Sequence, residues 1–328
     1  MKPRIAIALG DPAGIGPEVA LKAALDPRVR AACEPLLVGD RGVLDVHAHA
    51  CGLNPAILAF DSMSAARWED GAVSLLERHQ FTPGELKIGR IEAAHGRAVI
   101  DSATAAIEAA QAGAVHAVVG APHTEKSIAL AGIAFDGYPS FVARATGTDP
   151  SRVFLMLCWD DMRIAHATLH VSLRDAIAQI TRPRVLQAIR AAHEALRKMG
   201  IAAPRIAVAG LNPHASEDGL FGNEERDVIA PAISEARTAQ IQAHGPFGAD
   251  TMFGRPGYDA FVVMIHDQGH IAAKLLAPNR AAALTIGTPV LFSSVGHGSA
   301  LDIAGQNKAR PDAMIDAILR LAGGTTGG

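Results

Sequence analysis

The stretch Ile5-Ala-Ile-Ala-Leu-Gly-Asp-Pro-Ala-Gly-Ile-Gly-Pro-Glu18 establishes the fold class of this chain. Ile5–Leu9 is a short, uninterrupted aliphatic run, which is typical of a strand buried on both faces of a sheet. Residues 10–16 are rich in glycine, and Pro17 and Glu18 are residue types that favour the first turn of a helix. The stretch therefore predicts a strand, a tight loop and a helix.

Strand-like and helix-like stretches continue to alternate along the chain. Further aliphatic runs predict buried strands at Leu36–Val38, Ala117–Val119, Ile206–Ala209 and Phe261–Ile265. Ala-rich amphipathic stretches such as Pro183–Met199 predict helices, and the alternation is typical of an α/β fold. Because ligands of such sheets bind at the loops that follow strands, the chemistry is expected in residues 11–16, 212–222 and 266–274.

The composition indicates a folded chain of two domains. Of 328 residues, 49% are hydrophobic and 19% are charged, which excludes a disordered chain. At roughly 150 residues per domain, this length favours two domains. The net charge of −3 argues against nucleic acid or an anionic membrane as a partner. An aromatic content of 4% argues against a platform for stacked bases.

The apolar runs and the cysteines both favour a cytoplasmic protein. No apolar run approaches the roughly 18 residues of a membrane span, and the run near the N-terminus is too short for a signal peptide. Cys33, Cys51 and Cys158 have neither metal-ligand nor disulfide-framework spacing. We therefore expect reduced thiols and no contact with a membrane.

Three histidines are candidate ligands, and two of them, His214 and His266, lie in the loops named above. His170, His214 and His266 each lie beside residues that could orient an imidazole. Three neutral nitrogen donors with an open fourth position suit a catalytic divalent metal, with zinc favoured over magnesium. The chain has 14 histidines, however, so any one of them alone is better explained as a surface or hydrogen-bonded residue.

Two charged residues near these histidines are candidate catalytic groups. Lys274 is almost the only charge between Gly269 and Pro278, so it could bind a substrate carboxylate or transfer a proton, or it could be an ordinary surface lysine. Asp250 could orient an imidazole or cap a helix.

The residues that suggest binding of a dinucleotide cofactor lie near the C-terminus. Gly14 and Gly16 only partly imitate the dinucleotide-binding pattern of a Rossmann fold. The small residues of the stretch 296–311 would let the backbone approach a flat ligand. A Gly-rich turn that precedes a helix would, however, explain the same sequence. The candidate cofactor-binding residues of this stretch are His297, Gly298, Ser299, Ala300, Asp302 and Asn307.

Four motifs, spread over the whole chain, together resemble the 4-hydroxythreonine-4-phosphate dehydrogenase (PdxA) family. They are Gly-Asp-Pro-Ala-Gly-Ile-Gly-Pro-Glu, Asn-Pro-His-Ala-Ser-Glu, His-Asp-Gln-Gly and Ser-Val-Gly-His-Gly-Ser-Ala-Leu-Asp-Ile-Ala-Gly. The last also resembles the stretch by which isopropylmalate and isocitrate dehydrogenases hold the adenosine of their dinucleotide. The resemblance implies two α/β domains with a cleft between them, like those dehydrogenases and unlike a standard Rossmann fold.

The resemblance also implies cofactors and an assembly. In this family three histidines bind a divalent metal, two from one subunit and one from its dimer mate, and by motif they correspond to His170, His214 and His266. It implies NAD or NADP as the hydride acceptor and a homodimer whose active site straddles the interface. We expect residues 1–125 with 285–328 to form the cofactor-binding domain, and residues 126–284 to carry the metal site and dimer interface.

Departures from the family pattern concern the substrate. Gly137-Tyr-Pro-Ser140 stands where the family has Gly-His-Thr-Glu, and Ala283 and Phe292 replace an asparagine and an arginine. Each charge-assisted hydrogen bond lost from a phosphorylated substrate would cost roughly 1–3 kcal/mol. The chain is more similar to the family branch that oxidises the cis-dihydrodiol of terephthalate. The predicted substrate-binding residues are Tyr138, Ser140, Asn212 and Phe292.

The sequence thus predicts a decarboxylating dehydrogenase that oxidises a hydroxyl beta to a carboxylate. Its expected substrate is an aromatic-acid cis-dihydrodiol. Two alternatives stay open: a dehydrogenase of 4-hydroxythreonine 4-phosphate or a related phosphorylated four-carbon sugar acid, and a non-catalytic ligand-binding protein on the same scaffold.

Overall fold

In the computed structural model, which describes residues 2–82, 84–277 and 281–323, the chain forms twelve strands and eleven α-helices. The strands are β1 (Arg4–Ala8), β2 (Glu34–Gly39), β3 (Ala56–Phe60), β4 (Ala72–Glu77), β5 (Ala117–Gly120), β6 (Phe154–Trp159), β7 (Met162–His166), β8 (Arg205–Ala209), β9 (Gln242–Phe247), β10 (Ala260–Val263), β11 (Ala282–Ile286) and β12 (Phe292–Ser294). The helices are α1 (Gly16–Leu25), α2 (Pro27–Ala32), α3 (Arg41–Ala50), α4 (Ala93–Gln111), α5 (Glu125–Leu130), α6 (Tyr138–Thr146), α7 (Leu173–Gln179), α8 (Arg182–Lys198), α9 (Ala230–Thr238), α10 (His266–Leu276) and α11 (Asp312–Leu321). The α/β class expected from the sequence is confirmed.

The chain divides into two compact units. Among the described residues, unit 1 consists of residues 2–141 and 290–323, and unit 2 of residues 142–289. The first boundary between the two units lies inside α6. α5 packs so closely on α4 that a Cβ at Gly96 would overlap the carbonyl of Ser127. Residues 324–328, at the end of the predicted first domain, lie outside the described residues.

Unit 1 contains a parallel sheet with the strand order β3-β4-β2-β1-β5-β12. This order differs from the 3-2-1-4-5-6 arrangement of a Rossmann fold, as expected. β1 lies between β2 and β5, with Ile5 paired to Pro35 on one side and to Ala117 on the other. The loops after β1 and β5 therefore meet at a topological switch point, where α/β sheets bind their ligands.

Unit 2 contains a mixed sheet with the order β11-β6-β7-β10-β8-β9. β6 runs antiparallel to both of its neighbours, whereas β7, β10, β8 and β9 are parallel. The carboxyl ends of β7, β8 and β10 consequently lie along one edge, and they lead into the three segments that carry His170, His214 and His266. Within the described ranges, no helix has both the length and the apolar character needed to cross a bilayer.

Candidate active site

The segment after β7 brings His170 beside the start of α10. The backbone N–H of Thr168 and its hydroxyl both donate to the carbonyl of Met264, at 3.1 and 2.8 Å. This ladder continues the β7–β10 pairing beyond the strands and fixes the direction of the chain. As a result the imidazole centroids of His170 and His266 lie 5.7 Å apart.

The first turn of α10 orients His266. The side-chain oxygen of Gln268 accepts from the backbone N–H groups of Met264 and Ile265, and its amide donates to the carbonyl of Gly210 at the end of β8. His266 Nδ1 lies 2.7 Å from a carboxylate oxygen of Asp267. This contact leaves Nε2 of His266 as the nitrogen available to a ligand.

A second imidazole stacks on His266. The rings of His266 and His270 are nearly parallel, at 9°, with centroids 3.7 Å apart. His270 Nδ1 lies 3.1 Å from Nε2 of His166, a buried residue at the end of β7. Gly269 is required here because a Cβ would overlap the ring of His166. The three imidazoles therefore form a packed column against α10.

Burial keeps the inner imidazoles of this column neutral. Desolvation, with the nearby imidazoles as a smaller cause, lowers the pKa of His166 from 6.5 to about 3. Desolvation also lowers the pKa of His270 to about 4. At neutral pH the hydrogen bond between them is thus a bond between neutral rings, one donating and one accepting.

Lys274 lies on the same face of α10 as His266 and His270. The three residues are spaced at i, i+4 and i+8, so their side chains follow one another along the helix. Lys274 is exposed and contributes to the low pKa of His270 through its charge. The structure therefore brings the predicted lysine and one predicted histidine into a single row.

His214 lies on a left-handed turn after β8. His214, Ala215, Ser216, Glu217 and Asp218 have φ values of 52, 54, 78, 48 and 54°. For L-residues this conformation costs about 1–2 kcal/mol each. Hydrogen bonds from Ala215 N–H to the carbonyl of Asn212 and from Gly219 N–H to that of Ser216 close the turn.

Asn212, His214 and Asp250 share one cavity. It has a volume of about 340 Å³ and is also lined by Gln268 of α10. The side-chain amide of Asn212 donates to the carboxylates of Glu224 and Glu225, at 2.7 and 2.9 Å. These bonds direct the amide into the protein. Sequence reasoning missed Glu225, because nothing in its local sequence signals its contact with this turn.

The histidines of one chain partly fit a metal site. Because an imidazole nitrogen lies about 2 Å from a bound zinc ion, two rings that share one ion have centroids within roughly 6.5 Å, as His170 and His266 do. Among the described residues, no three His, Cys, Asp or Glu side chains of the chain form a complete site. A third donor such as His214 would therefore have to come from another chain or from a movement of this one.

In unit 1 the predicted cofactor stretch lies against the Gly-rich loop after β1. The carbonyl of Ser299 accepts from Ile15 N–H at 2.8 Å, and its hydroxyl lies 2.6 Å from that of Thr124, which follows β5. A Cβ on Gly14 would lie 2.7 Å from the side chain of Ser299. Small residues are therefore needed at this contact, and the stretch lies at the switch point between β1 and β5.

The other predicted cofactor residues lie around Ser299. His297, Gly298, Asp302 and Asn307 are exposed, and Ala300 and Asn307 have φ values of 40 and 56°. A buried ion pair holds the end of the stretch, because the carboxylate of Glu18 binds Lys22 at 2.7 Å and accepts from Ala309 N–H at 3.0 Å. These contacts fix the loop at both ends and leave its middle accessible.

The predicted substrate residues of unit 1 are more buried than a direct contact requires. Phe292 is fully buried and Tyr138 is 5% exposed, and their ring centroids lie 4.6 Å apart. Phe292 thus contacts Tyr138, which in turn packs against His123 at 4.8 Å. Ser140 is half-buried. In this arrangement Phe292 can influence a ligand only through its neighbours, because β12 directs its ring into the unit.

Unit 2 exposes large apolar side chains close to the histidine-bearing segments. They are between 43% and 76% exposed and lie after β7, on α7, on the left-handed turn and on α10: Val171, Leu173, Ile177, Leu220, Phe221, Ile271, Leu275 and Leu276. Large exposed apolar side chains in such numbers are typical of a surface that contacts another protein.

Comparison with known proteins gives consistent matches. The family model for pyridoxal phosphate biosynthetic protein PdxA matches residues 31–321. A 1,2-dihydroxy-3,5-cyclohexadiene-1,4-dicarboxylate dehydrogenase of Comamonas sp. is 42% identical over 97% of this chain and 96% of its own.

Two solved structures have the same fold over nearly the whole chain. A terephthalate 1,2-cis-dihydrodiol dehydrogenase of Burkholderia xenovorans is 41% identical, with a TM-score of 0.80 over 98% of this chain and 99% of that one. A 4-hydroxythreonine-4-phosphate dehydrogenase of Burkholderia phymatum is 35% identical, with a TM-score of 0.90 over 98% of both chains.

Proposed function

The chain belongs to the PdxA family of dehydrogenases, and from this premise we propose that it is an NAD(P)- and metal-dependent dehydrogenase of a cis-dihydrodiol dicarboxylate, with decarboxylation of the product. The proposed substrate has an unsaturated ring that carries carboxylates and two hydroxyls. We further propose that the enzyme is a cytoplasmic homodimer.

The observation that carries the choice of substrate is the contact between Tyr138 and Phe292. These two rings stand where the family pattern has a histidine and an arginine, and neither can neutralise a phosphate. Together with His123 and Phe135, Tyr138 forms an aromatic cluster beside the switch point. Such a cluster, which contains no guanidinium or ammonium group, favours an apolar ring over a phosphorylated, flexible chain. The match with a dehydrogenase of a dihydroxycyclohexadiene dicarboxylate supports the same choice.

The proposed metal site is shared between two copies of the chain. His170 and His266 supply two nitrogens from one copy, since their rings are close enough to share an ion. His214 of the partner subunit supplies the third. The exposed apolar side chains on α7, α10 and the left-handed turn support this arrangement, because a dimer that buries them would also bring the histidines of two copies together.

The proposed reaction couples oxidation to loss of carbon dioxide. When bound, a divalent metal held by the three histidines would lower the pKa of the substrate hydroxyl and stabilise negative charge on its oxygen, and a bound NAD(P) would be the hydride acceptor. The oxidised carbon becomes a ketone beta to the carboxylate. Cleavage of the carboxyl carbon leaves the electron pair in the ring, which becomes aromatic, and the enolate oxygen regains the proton that the hydroxyl lost. Lys274 binds a carboxylate or transfers this proton, and Asp250 orients His214.

Reduction of the nicotinamide tests this proposal. Purified, metal-loaded protein is offered NAD or NADP with the terephthalate cis-dihydrodiol or with 4-hydroxythreonine 4-phosphate, and absorbance of the reduced nicotinamide and release of carbon dioxide are followed. We expect turnover with the diol only, and none after treatment with a chelator or in His214→Ala. Turnover with the phosphorylated compound alone would contradict the inference from Tyr138 and Phe292. Turnover of the diol without carbon dioxide would contradict decarboxylation.

A further inference from the structure

The left-handed turn that begins at His214 lacks glycine at its five consecutive left-handed positions. An isolated segment of L-residues does not favour this conformation, so other parts of the structure must hold it. In addition to the two bonds that close it, Ser216 donates its hydroxyl to the carbonyl of Gly222, and Phe221 N–H donates to the carbonyl of Ser216. The direction in which His214 enters the turn depends on Leu211 and Asn212, immediately before it.

The carboxylate of Glu225 binds this entry. One oxygen accepts from the backbone N–H groups of Leu211 and Asn212, at 2.7 and 2.8 Å, and the other accepts from the Asn212 amide at 2.9 Å. Glu225 is only 5% exposed. Gly210 leaves room for this approach, because a Cβ there would lie 2.9 Å from both the carboxylate and Ala215 Cα. Three donors therefore converge on one buried carboxylate.

Glu225 is itself fixed by a π-turn. Residues 225–229 form a single turn of π-helix that leads into α9, and Ile229 is fully buried in the unit. Such turns are frequent at functional sites because they displace one side chain from the regular helical path. Here the displaced turn carries the carboxylate to the end of β8, whereas the neighbouring Arg226 and Asp227 are exposed and form an ion pair with each other at 2.7 Å.

We propose that Glu225 is a positioning residue for His214, acting through the backbone of Leu211 and Asn212 to hold the left-handed turn in the shape that presents this imidazole to a metal. The inference rests on the proposed function, since it takes His214 as a metal ligand. It differs from a general role in stability, because it links the carboxylate to the affinity and geometry of the metal site.

Metal binding by the intact protein tests the inference. Affinity for Zn²⁺ is measured by competition with a chromophoric chelator, and the visible absorption spectrum of the Co²⁺-loaded protein reports ligand geometry. We expect Glu225→Ala to weaken Zn²⁺ binding by about 10- to 100-fold, the range found when partners of metal ligands are removed, and to alter the Co²⁺ spectrum. Asp227→Asn, on the same π-turn, makes the same change in charge and should leave both unchanged.

Glu225→Gln distinguishes positioning from folding. Its carbonyl oxygen can still accept from the two backbone N–H groups, but its amide faces the amide of Asn212, so we expect a smaller loss, of about 3- to 10-fold. If Glu225→Ala does not fold, the Zn²⁺ affinity of Glu225→Gln decides whether Glu225 positions His214. Wild-type affinity and spectrum in the folded Glu225 variants, with weakened binding in His214→Ala, would overturn the inference alone. Wild-type affinity in His214→Ala would overturn the proposed metal site, and the inference with it.

Discussion

His266 and His214 are carried by backbones of opposite hand in the same unit. His266 opens the right-handed helix α10, whose periodicity also aligns His270 and Lys274. His214 opens a left-handed turn that depends on contacts with Glu225. A helix thus sets the spacing of its side chains by its own geometry, whereas the turn takes its geometry from a distant partner. The two segments should respond differently to substitution.

Exchange of subunits is expected to give the largest effect. It tests whether His214 serves the active site of the other copy. His170→Ala and His214→Ala should each lose about 1000-fold or more of the activity, because each removes a proposed metal ligand. If the turn serves the site of the other copy, a mixture of the two variants re-assembled together should regain about a quarter of wild-type activity, since half of the dimers have one intact site. Activity is measured before and after mixing. A mixture that stays inactive would indicate that His170 and His214 serve one site from the same chain.

Gly269→Ala should disturb the packing of α10 against the imidazole column. The new methyl group would overlap His166 and lie 2.8 Å from Ile164, both of which are buried, so the free energy of unfolding should fall by about 1–3 kcal/mol. Urea denaturation of the metal-free protein measures this change. Gly254→Ala is the matched control, since nothing lies within 4 Å of its Cβ position. Equal stability of the two variants would argue against a tightly packed column.

Substitution of His270 separates stacking from hydrogen bonding. His270→Phe keeps a ring against His266 and loses the bond to His166, whereas His270→Ala loses both. If the stacked ring fixes the orientation of His266, the affinity for Zn²⁺ should fall about tenfold in His270→Ala and about threefold or less in His270→Phe. Competition with a chelator measures both. Equal losses in the two variants would assign the effect to the hydrogen bond.

The pH dependence of stability tests the burial of His166. The pKa of His166 is lowered from 6.5 to about 3, so below pH 6.5 the unfolded chain binds a proton that the folded chain does not. Its contribution to stability is complete above pH 6.5 and falls as the pH is lowered towards 3. His166→Gln should therefore flatten the decline in the free energy of unfolding between pH 6.5 and 4.5 in metal-free protein. An unchanged slope would mean that His166 accepts a proton in the folded state.

The sequence predicted the regular parts of this molecule better than the irregular ones. The aliphatic run Ile5–Leu9 led to the α/β class, because strands buried on both faces leave a clear pattern. The strand before His266 was also predicted, and the i, i+4 spacing indicates His270 as the neighbour of His266 on the helix. The pairing of His270 with His166 could not be predicted, since it joins elements that are far apart in sequence.

Two features of the candidate site left no pattern in the sequence. The left-handed turn contains ordinary L-residues where a positive φ would lead one to expect glycine. Phe292 occupies a position that suggests a substrate contact, but its burial follows from the direction of β12 and not from its neighbours in sequence. In both cases tertiary contacts decide the local structure.

The discontinuity of unit 1 has a consequence for synthesis on the ribosome. β12 pairs with β5, but all of unit 2 is translated between them. At about 5–20 residues per second, β5 waits roughly 10–30 s for its neighbour, while unit 2 emerges as one continuous segment that can fold first. β5 has only four residues, a length that limits pairing with other nascent chains during this delay. The loop proposed to bind the coenzyme is therefore among the last segments to be synthesised, so a chain released early would lack it.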